Sequence, residues 1–429
     1  MRYLFKIIAF FLIFSQCTFC FALTYSDATE SMTDIFSFLS ADENAGSSTF
    51  YSLNIPSGAR AESLGGAYTG LSNDISYFDY NPAASALLDE TELAVFHNAW
   101  IADSALETLA ATTRFGDLGI GGAVKCFYVP FTEYDYYGTK QTDGYYSETT
   151  GILNVSYNFL HGYYFKGIAL GANLKGSWRA MPDYMDDETG EKQKGLSQSA
   201  AALMADFGAM SRFNFLKFFQ SRDANCAVGV NIKNIGAAFT GFGSSIEKDD
   251  PIASVVSVGF SYRPFEVFTF TADFSQPINL FSPSESEQFS VGCGMIFQVA
   301  KPFAILTGLL VKGSNPRFSL GGEAVYKGVQ LNVNYTLDLT TSFNPVNHIS
   351  LSAKIKLGDR GRAEIAEQVD ALYIDGLEKY TAGNYEGAIE SWNKALALNA
   401  GFDPAKKGIA IALRQQQLVE KIKEMQSLD

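Results

Sequence analysis

Residues 329–339 read Val329-Gln330-Leu331-Asn332-Val333-Asn334-Tyr335-Thr336-Leu337-Asp338-Leu339. Every odd position in this stretch is apolar or aromatic, and every even position is polar. Because successive side chains of a β-strand point to opposite faces, the pattern predicts a strand with one dry face and one wet face. At eleven residues the stretch exceeds the usual strand length of about five or six, and it is long enough for a tilted crossing of a bilayer.

The same alternation recurs through residues 90–357. We count about fourteen such segments, near 91–100, 105–115, 118–131, 147–160, 164–179, 196–211, 224–236, 252–263, 266–276, 286–298, 301–312, 316–327, 328–339 and 347–357. An even number of antiparallel strands closes a barrel with both chain ends on one side. The sequence therefore predicts an all-β transmembrane barrel of about fourteen antiparallel strands.

The connections between the segments support this prediction, because outer-membrane barrels have short periplasmic turns and longer outer loops. Those after even-numbered segments are mostly tight: Gly116-Asp117, Arg263-Pro264, Val299-Ala300 and Lys327-Gly328. Several after odd-numbered segments are long and polar: 132–146, 180–195, 236–251 and 277–285. The Phe-rich stretch 213–223 breaks the pattern and indicates either an interfacial or a plug-like excursion.

The composition narrows the class of protein. Only 18% of the 429 residues are charged, against about 25% in soluble domains, yet residues 23–429 hold no apolar run near the roughly 18–20 residues of a membrane-spanning helix. A net charge of −14 without clusters of Lys and Arg argues against nucleic acid as a partner. A soluble, exported β-sandwich or propeller would also alternate, but the long segments and the aromatic residues near their ends favour the membrane barrel.

The chain divides into five regions. Residues 1–22 have the layout of a secretory signal peptide, with Arg2 and Lys6 ahead of an apolar stretch and Ala22 at the expected cleavage site. An uncleaved anchor is the alternative. The other regions are a polar lead-in at 23–54, a plug at 55–89, the barrel at 90–357 and a helical domain at 358–429.

We find no constellation that supports catalysis. The three histidines lie far apart in the sequence, and none stands beside a Ser or Cys nucleophile motif. Removal of the leader leaves Cys126, Cys226 and Cys293, which have neither the spacing of a disulfide framework nor that of a metal site. We therefore expect no enzyme, no catalytic residues, no cofactor and no metal.

A segment rich in small residues precedes the first strand: Ser57-Gly58-Ala59-Arg60-Ala61-Glu62-Ser63-Leu64-Gly65-Gly66-Ala67-Tyr68-Thr69-Gly70-Leu71-Ser72-Asn73-Asp74-Ile75-Ser76-Tyr77-Phe78-Asp79-Tyr80-Asn81-Pro82-Ala83-Ala84. Gly65 and Gly66 allow close backbone packing inside a filled lumen, and Asn81-Pro82 fixes a turn that leads into the first strand. Arg60 and Asp74 are placed to form an ion pair or to reach the barrel wall. The alternative is an ordinary glycine-rich linker that ends in a turn.

The segment resembles the N-terminal signature of FadL-like outer-membrane proteins, approximately A-R-x-x-x-x-G-G-A, an acidic residue and N-P-A. The matching positions are Ala59, Arg60, Gly65, Gly66, Ala67, Asp74, Asn81, Pro82 and Ala83. The resemblance implies a plugged barrel of fourteen strands that takes up long-chain fatty acids or other hydrophobic small molecules. It also implies a lateral exit at a kinked third strand, for which this sequence offers Gly119, Gly121 and Gly122.

After residue 358 the alternation gives way to the period of amphipathic helices. Residues 371–380 and 383–396 resemble one tetratricopeptide repeat, and a third helix from about Pro404 to Gln426 would cap it. The positions that let these helices pack are Gly376, Tyr385, Ala388, Trp392 and Ala395. Because the strand number is even, we expect the N-terminus and this tail in the periplasm, where the tail would recruit a peptide or an envelope protein.

The sequence thus supports two functions on one fold. The first is a passive outer-membrane transporter for hydrophobic small molecules such as a long-chain fatty acid, surrounded by membrane lipid. The second is a scaffold barrel, similar to FadL-related barrels of secretion systems, that docks envelope proteins through its tail. A continuous apolar pocket with an opening near the third strand would favour transport, whereas a charged or filled lumen would favour the scaffold.

Overall fold

The computed structural model describes residues 42–426, apart from 102, 135, 186–191, 243–245 and 340–346. The predicted signal peptide at 1–22 and most of the polar lead-in lie outside the described residues. Within them, none of the helices is both long enough and apolar enough to cross a membrane.

Fourteen antiparallel strands form a closed barrel, which confirms the predicted fold class and strand count. Their bounds are β1 Glu92–Ala99, β2 Ala105–Phe115, β3 Leu118–Tyr134, β4 Lys140–Phe159, β5 Ile168–Ala180, β6 Ala200–Phe213, β7 Cys226–Thr240, β8 Ser254–Phe265, β9 Phe268–Ile278, β10 Ser290–Ala300, β11 Phe303–Lys312, β12 Asn315–Tyr326, β13 Val329–Asp338 and β14 His348–Lys356. Each strand pairs with the next in sequence. The barrel closes where β1 pairs with β14, from Glu92 opposite Lys356 to Ala99 opposite Ile349.

The alternating pattern places the polar face inside the barrel and the apolar face outside. In β13, Asn332 and Asn334 are 4% and 0% exposed, whereas Leu331 and Val333 are 53% and 49% exposed. This is the reverse of a soluble sandwich or propeller, in which the dry face is inside. A closed barrel with an apolar outer surface is built to face lipid.

The connections define two ends of the barrel. At one, which we call the turn end, even-numbered strands are joined to the next strand; the other is the loop end. Two predicted turns are shifted towards the C-terminus: Glu266-Val267 joins β8 to β9 and Lys301-Pro302 joins β10 to β11, because the ladders continue through the residues predicted as turns. The predicted loop 132–146 is wrong for most of its length, since β3 and β4 stay paired as far as Tyr134 and Lys140.

The plug threads the lumen from one end to the other. The polar lead-in ends in a 3₁₀ turn, Tyr51–Asn54, and the plug contains two more, Ile75–Asp79 and Pro82–Leu87, and one helical turn, α1, Ala59–Glu62. Asp42, the first residue that the structure describes, accepts a hydrogen bond from the backbone N–H of Gln288 at the loop end, 2.9 Å away. Asp42, ahead of the plug, therefore lies at the end opposite the C-terminal tail. The N-terminus itself lies outside the described residues, and its periplasmic location stays a prediction.

Three helices form the tail at the turn end: α2 Arg362–Thr381, α3 Tyr385–Leu398 and α4 Asp403–Gln426. They pack around Trp392, which is 1% exposed and whose indole N–H donates to the carbonyl of Tyr373 at 3.1 Å. A Cβ at Gly376 would lie 2.2 Å from Trp392 Nε1, so only glycine allows this approach. Ala388 and Ala395 are buried against the same ring, and Tyr385 packs at the edge of the cluster.

Candidate functional site: the plug and the lumen

Glycines on the inner face of the barrel receive the plug. A Cβ at Gly308 of β11 would lie 2.1 Å from the backbone nitrogen of Gly65, and one at Gly229 of β7 would lie 2.2 Å from the carbonyl oxygen of Thr69. Contacts with the plug backbone ring the lumen, at Gly119, Gly171, Gly229, Gly259, Gly292, Gly294 and Gly308, while Gly121, Gly208 and Gly321 meet side chains of the plug. The wall and the plug backbone therefore touch directly, and side chains larger than hydrogen would push them apart.

The first charged cluster joins the plug to the last strands of the barrel. The guanidinium of Arg60 lies 3.4 Å from Asp74 within the plug and 3.1 Å from Glu323 of β12. Lys354 of β14 forms a second ion pair with Asp74. Nearby, Glu62 pairs with His348. The sequence left open whether Arg60 and Asp74 pair with each other or reach the wall, and the structure shows both.

The second charged cluster lies on the opposite side of the plug. Lys125 of β3 is 2.7 Å from Asp79 of the plug, and Lys175 of β5 is 2.7 Å from Asp206 of β6. Lys233 of β7 reaches only the carbonyl oxygen of Asp79, at 3.4 Å. Among the described residues, Lys233 has no carboxylate within ion-pair distance, so this cluster carries more positive than negative charge.

The other predicted plug residues shape the backbone. Asn81 caps the last 3₁₀ turn by accepting from the N–H of Ala83 at 3.1 Å, and its amide donates to the carbonyls of Thr69 and Ala209. Pro82 begins that turn, where it packs against Gly208. Gly65 and Gly66 have φ values of 63° and 72°, a region that glycine reaches without strain.

The three glycines predicted as a lateral gate lie in a continuous ladder. β3 pairs with β2 and β4 without a register shift from Leu118 to Glu133. A Cβ at Gly119 would clash with the backbone of Ser85 in the plug, and one at Gly121 would lie 2.4 Å from the hydroxyl of Tyr77. Gly122 faces outward, towards Leu153. Gly119 and Gly121 thus serve as plug contacts in this conformation, and the gate stays a prediction.

A β-bulge interrupts the wall between β6 and β7. The register shifts between Ala205 and Phe207, and Asn234 takes a φ of 60°. The N–H of Asn234 bonds the carboxylate of Asp206 at 2.7 Å instead of a neighbouring strand. In the part of the barrel that the structure describes, the other register shifts lie near strand ends. The ladder is therefore weakened here, beside Lys233.

A cavity of about 440 Å³ lies between the plug and the inner face of β7 to β14. Part of its lining is apolar or aromatic, as at Tyr51, Trp100 and Leu310. The charged part of the lining consists of the cations Lys233, Lys312 and Arg317 and the acidic residues Asp42, Glu62, Asp79, Asp273 and Glu287. Lys312 is paired with Glu287. The side chain of Arg317 makes no hydrogen bond or ion pair with any residue that the structure describes. The cavity therefore combines apolar surface with side chains of both charges, and two of its cations, Lys233 and Arg317, have no carboxylate partner among the residues that the structure describes.

The tail is attached where the plug leaves the lumen. Arg362, the first residue of α2, donates to the carbonyls of Leu88 and Arg114 at 3.3 and 2.9 Å. Arg212 of β6 donates to the carbonyl of Leu87 at 3.0 Å. Ahead of α2, a hydrogen bond from the backbone N–H of Ala363 holds the pKa of Asp359 below its usual value. The start of the tail is thus fixed to the end of the plug.

Sequence reasoning missed the wall partners of the plug. Lys125 and Lys354 lie within segments predicted as strands, yet each has a buried carboxylate partner in the plug, Asp79 and Asp74 respectively. Lys175, also within a predicted strand, has a buried partner in the wall, Asp206. A positive charge on the wet face of a lipid-facing strand was the available signal, because such a charge needs a partner in a filled lumen. Across the described ranges, no group of three or more His, Cys, Asp or Glu residues is arranged to hold a metal ion.

The lipid-facing surface and the threaded, ion-paired plug define a class: a membrane-spanning β-barrel of fourteen strands with an internal plug. The chain belongs to the uncharacterised protein family UPF0164, whose model matches residues 28–360. One UPF0164 protein of Treponema pallidum (strain Nichols) is 30% identical over 393 residues, covering 89% of this chain and 86% of that protein. Another from the same organism is 27% identical over 390 residues, covering 86% and 76%.

Solved structures of other barrels align with much of the chain. The toluene transporter TodX of Pseudomonas putida has a TM-score of 0.48 at 10% identity and covers 70% of this chain and 96% of its own. The toluene transporter TbuX of Ralstonia pickettii has a TM-score of 0.44 at 11% identity, covering 70% and 98%. A FadL homologue of Pseudomonas aeruginosa has a TM-score of 0.41 at 11% identity, covering 70% and 98%. At these identities the comparison concerns the fold alone.

Proposed function

We propose that this protein is an outer-membrane channel for the passive uptake of hydrophobic or amphipathic small molecules, such as a long-chain fatty acid. The observation that carries the proposal is the cavity of about 440 Å³ inside a lipid-facing barrel, beside the plug. Binding sites for small molecules are concave and mostly apolar, with a few placed polar groups. Here Trp100 and Leu310 supply apolar surface, while Arg317 and Lys233 suit an anionic group.

Passage beyond the cavity requires the plug to move. Gly308 and Gly229 hold its backbone against the wall, and buried ion pairs hold Asp74 and Asp79. A solute that competes for Lys233 would act on the cluster around Asp79, because Lys233 already contacts the Asp79 carbonyl. Binding and plug release are thereby linked through one group of charges.

The proposed route ends with a lateral exit into the membrane. The third strand, predicted from the resemblance, is fully paired through its glycines, whereas the β6–β7 bulge already lacks ladder bonds and borders the cavity at Lys233. Parting strands at a bulge breaks fewer hydrogen bonds than parting an intact ladder. We therefore place the exit between β6 and β7.

Lipid extraction and mass spectrometry of the purified protein test the transport proposal, together with uptake of labelled fatty acid by liposomes that contain it. Bound amphiphile and protein-dependent uptake are expected. Deletion of residues 57–84 should raise the flux of unrelated small solutes, because the plug then no longer fills the lumen. Absence of both bound lipid and uptake would refute transport, and unchanged solute flux in the deletion would refute the role of the plug.

Cross-linking across a single strand pair tests the exit. In a background with Cys126, Cys226 and Cys293 replaced by alanine, a short thiol reagent would join Leu203→Cys to Ala237→Cys, which are paired across β6 and β7. The matched control joins Leu109→Cys to Val124→Cys across β2 and β3. We expect only the β6–β7 link to block uptake. If only the control cross-link between β2 and β3 blocked uptake, the exit would lie at the third strand instead.

The scaffold function stays the second candidate, and the charged, filled lumen favours it. By the criterion stated for the sequence, buried pairs such as Lys125–Asp79 and Lys175–Asp206 belong to a closed barrel rather than to an apolar channel. In that case the tail would bind a peptide or envelope protein in the manner of a tetratricopeptide repeat. Deletion of residues 358–429 separates the two functions, because it would abolish partner binding in a scaffold and leave solute uptake intact in a transporter.

We further propose that the turn end and its tail face the periplasm, since short turns lie on that side of outer-membrane barrels. Protease added to intact cells should then cut the long loops of the loop end and spare α2 to α4. Cleavage of the tail in intact cells would show that the tail faces the outside of the cell and that the proposed orientation is wrong.

A further inference from the structure

The Phe-rich connection between β6 and β7, residues 214–225, takes no part in the proposed channel. We call it the β6–β7 loop. It folds back over the outer face of β8: the hydroxyl of Tyr262 donates to the carbonyl of Leu216 at 3.0 Å, and the N–H of Phe218 donates to the carbonyl of Pro264 at 3.0 Å. The plug-like interpretation of this stretch is wrong, because the loop lies outside the lumen, and the interfacial interpretation stays a prediction.

The loop extends the apolar outer surface of the barrel. Phe215 and Phe218 are 56% and 63% exposed. Their rings rest on Tyr262 and Phe265 of β8, with centroid distances of 6.4 and 5.5 Å. Since these strand residues belong to the outward, lipid-facing row, the exposed rings continue that surface at the turn end. Aromatic rings at this level are typical of the boundary between lipid tails and headgroups.

Two cations flank one ring of the loop. Lys217 Nζ lies 4.9 Å and Arg263 Cζ 4.8 Å from the centroid of Phe219. The guanidinium of Arg263 has neither a hydrogen bond nor an ion pair with residues in the described part of the chain. Among the residues that the structure describes, Lys217 donates only to the backbone carbonyls of Ser221 and Asp223. Both cations thus retain capacity for an external anion.

The surroundings of the loop are positively charged on an acidic protein. Arg222 is paired with Asp370 of α2, and burial lowers the pKa of Lys166 in the neighbouring β4–β5 connection. The charged side chains at this site are four cations, Lys166, Lys217, Arg222 and Arg263, and two carboxylates, Asp223 and Asp370. The local charge is therefore positive, whereas the whole chain has a net charge of −14. A local positive charge beside exposed aromatic rings matches the chemistry of an anionic lipid, whose phosphate lies next to its acyl chains.

We propose that the β6–β7 loop binds the phosphate headgroup of an anionic phospholipid in the leaflet at the turn end of the barrel. Arg263 and Lys217 bind the phosphate, and Phe215 and Phe218 lie among the upper parts of the acyl chains. Because Arg222 of the same loop is paired with Asp370, the bound lipid lies next to the attachment of the tail. The proposal rests on the lipid-facing barrel and not on transport.

Lipid retention measures the phosphate contact. The full chain is placed in bilayer discs containing equal amounts of phosphatidylglycerol and phosphatidylcholine, and the lipids that stay bound on extraction are quantified by native mass spectrometry. At about 1 kcal/mol per cation near an anionic surface, each of Arg263→Gln and Lys217→Gln should lower phosphatidylglycerol retention about fivefold. Lys327→Gln is the matched control, because Lys327 likewise lies over an aromatic ring at the turn end, that of Tyr326, but in a two-residue turn.

Equal retention of the two lipids by the unaltered protein, or equal loss in the control, would overturn the proposal. Depth measurement separates lipid from a protein occupant of the same surface. A fluorescent label on Phe218→Cys, in a background with Cys126, Cys226 and Cys293 replaced by alanine, should be quenched by nitroxide-bearing lipid and not by a water-soluble quencher. Quenching from water, or a cross-linked dimer through this position, would show that the rings are not covered by lipid.

Discussion

The plug and the tail are both attached to the same barrel, but by opposite means. The plug is held by pairs such as Lys125–Asp79, whose side chains are 5% and 8% exposed, and by backbone contact with wall glycines. The tail is held at its side by Arg222–Asp370, whose side chains are 67% and 30% exposed. Loss of one partner from a buried pair leaves the other charge unpaired and out of contact with water. At the surface, water solvates the remaining charge. We expect a plug that is costly to displace and a tail attachment that tolerates change.

The largest effect is expected from Lys125→Met. Asp79 would keep its charge in the lumen without an ionic partner, and the free energy of unfolding should fall by about 3–5 kcal/mol. Urea-induced unfolding in lipid vesicles, followed by tryptophan fluorescence, measures the change. Lys140→Met is the control, because Lys140 and Asp143 form an exposed pair. If Lys125→Met lowered the free energy of unfolding no more than Lys140→Met, the plug would not be held more strongly than an exposed ion pair holds its partners.

Trp392→Ala should be as disruptive within the tail as the loss of Lys125 is within the lumen. Removal of this buried ring leaves a cavity among α2, α3 and α4, and the tail should lose about 3–5 kcal/mol of stability. Hydrogen exchange resolved by segment would show faster exchange in residues 362–426 and unchanged exchange in the barrel strands. Leu398→Ala, at an exposed position of α3, serves as the control. Faster exchange in the plug would show that the tail and the plug form one cooperative unit.

Gly308→Val tests the backbone contact between wall and plug. Its side chain would meet the backbone of Leu64 and Gly65, and overpacking of this kind costs about 1–3 kcal/mol. Because the barrel ladder is stronger than the plug contact, the plug should yield and single-channel conductance should rise. Gly322→Val is the matched control, since a Cβ there lies 3.7 Å from Val333 on the outer face. Equal conductance in the two variants would contradict the proposed contact.

Arg222→Gln should have the smallest effect. An exposed ion pair contributes at most about 1 kcal/mol, and α2 keeps its attachment through Arg362 at the exit of the plug. Stability measured in urea and cleavage of the tail by protease should both stay close to those of the unaltered protein. Asp370→Asn should behave in the same way. Release of the tail in either variant would mean that this surface pair holds the whole domain.

The strand count and the inward and outward faces were predictable, because both follow from a period of two that every strand repeats. The predicted turn at Arg263-Pro264 was displaced, because β8 continues through both residues to Phe265, which pairs with Phe268 of β9. The ion-pair partners in the lumen could not be predicted from the sequence, because residues such as Lys354 and Asp74 are 280 positions apart. Alternation fixes which face a lysine occupies, but not which plug carboxylate lies opposite. The β6–β7 bulge likewise has no local signature, because Asn234 resembles any polar strand residue.

The path of the chain through the lumen links the first and last strands of the barrel. The plug enters at the loop end, beside residues such as Gln288, and leaves at the turn end directly before β1. The seam that closes the barrel joins β1 to β14, the two strands farthest apart in sequence. The plug spans the same seam from inside, because it is continuous with β1 and its Asp74 forms an ion pair with Lys354 of β14. The closure of the barrel is therefore held twice, by the ladder in the wall and by a buried ion pair in the lumen.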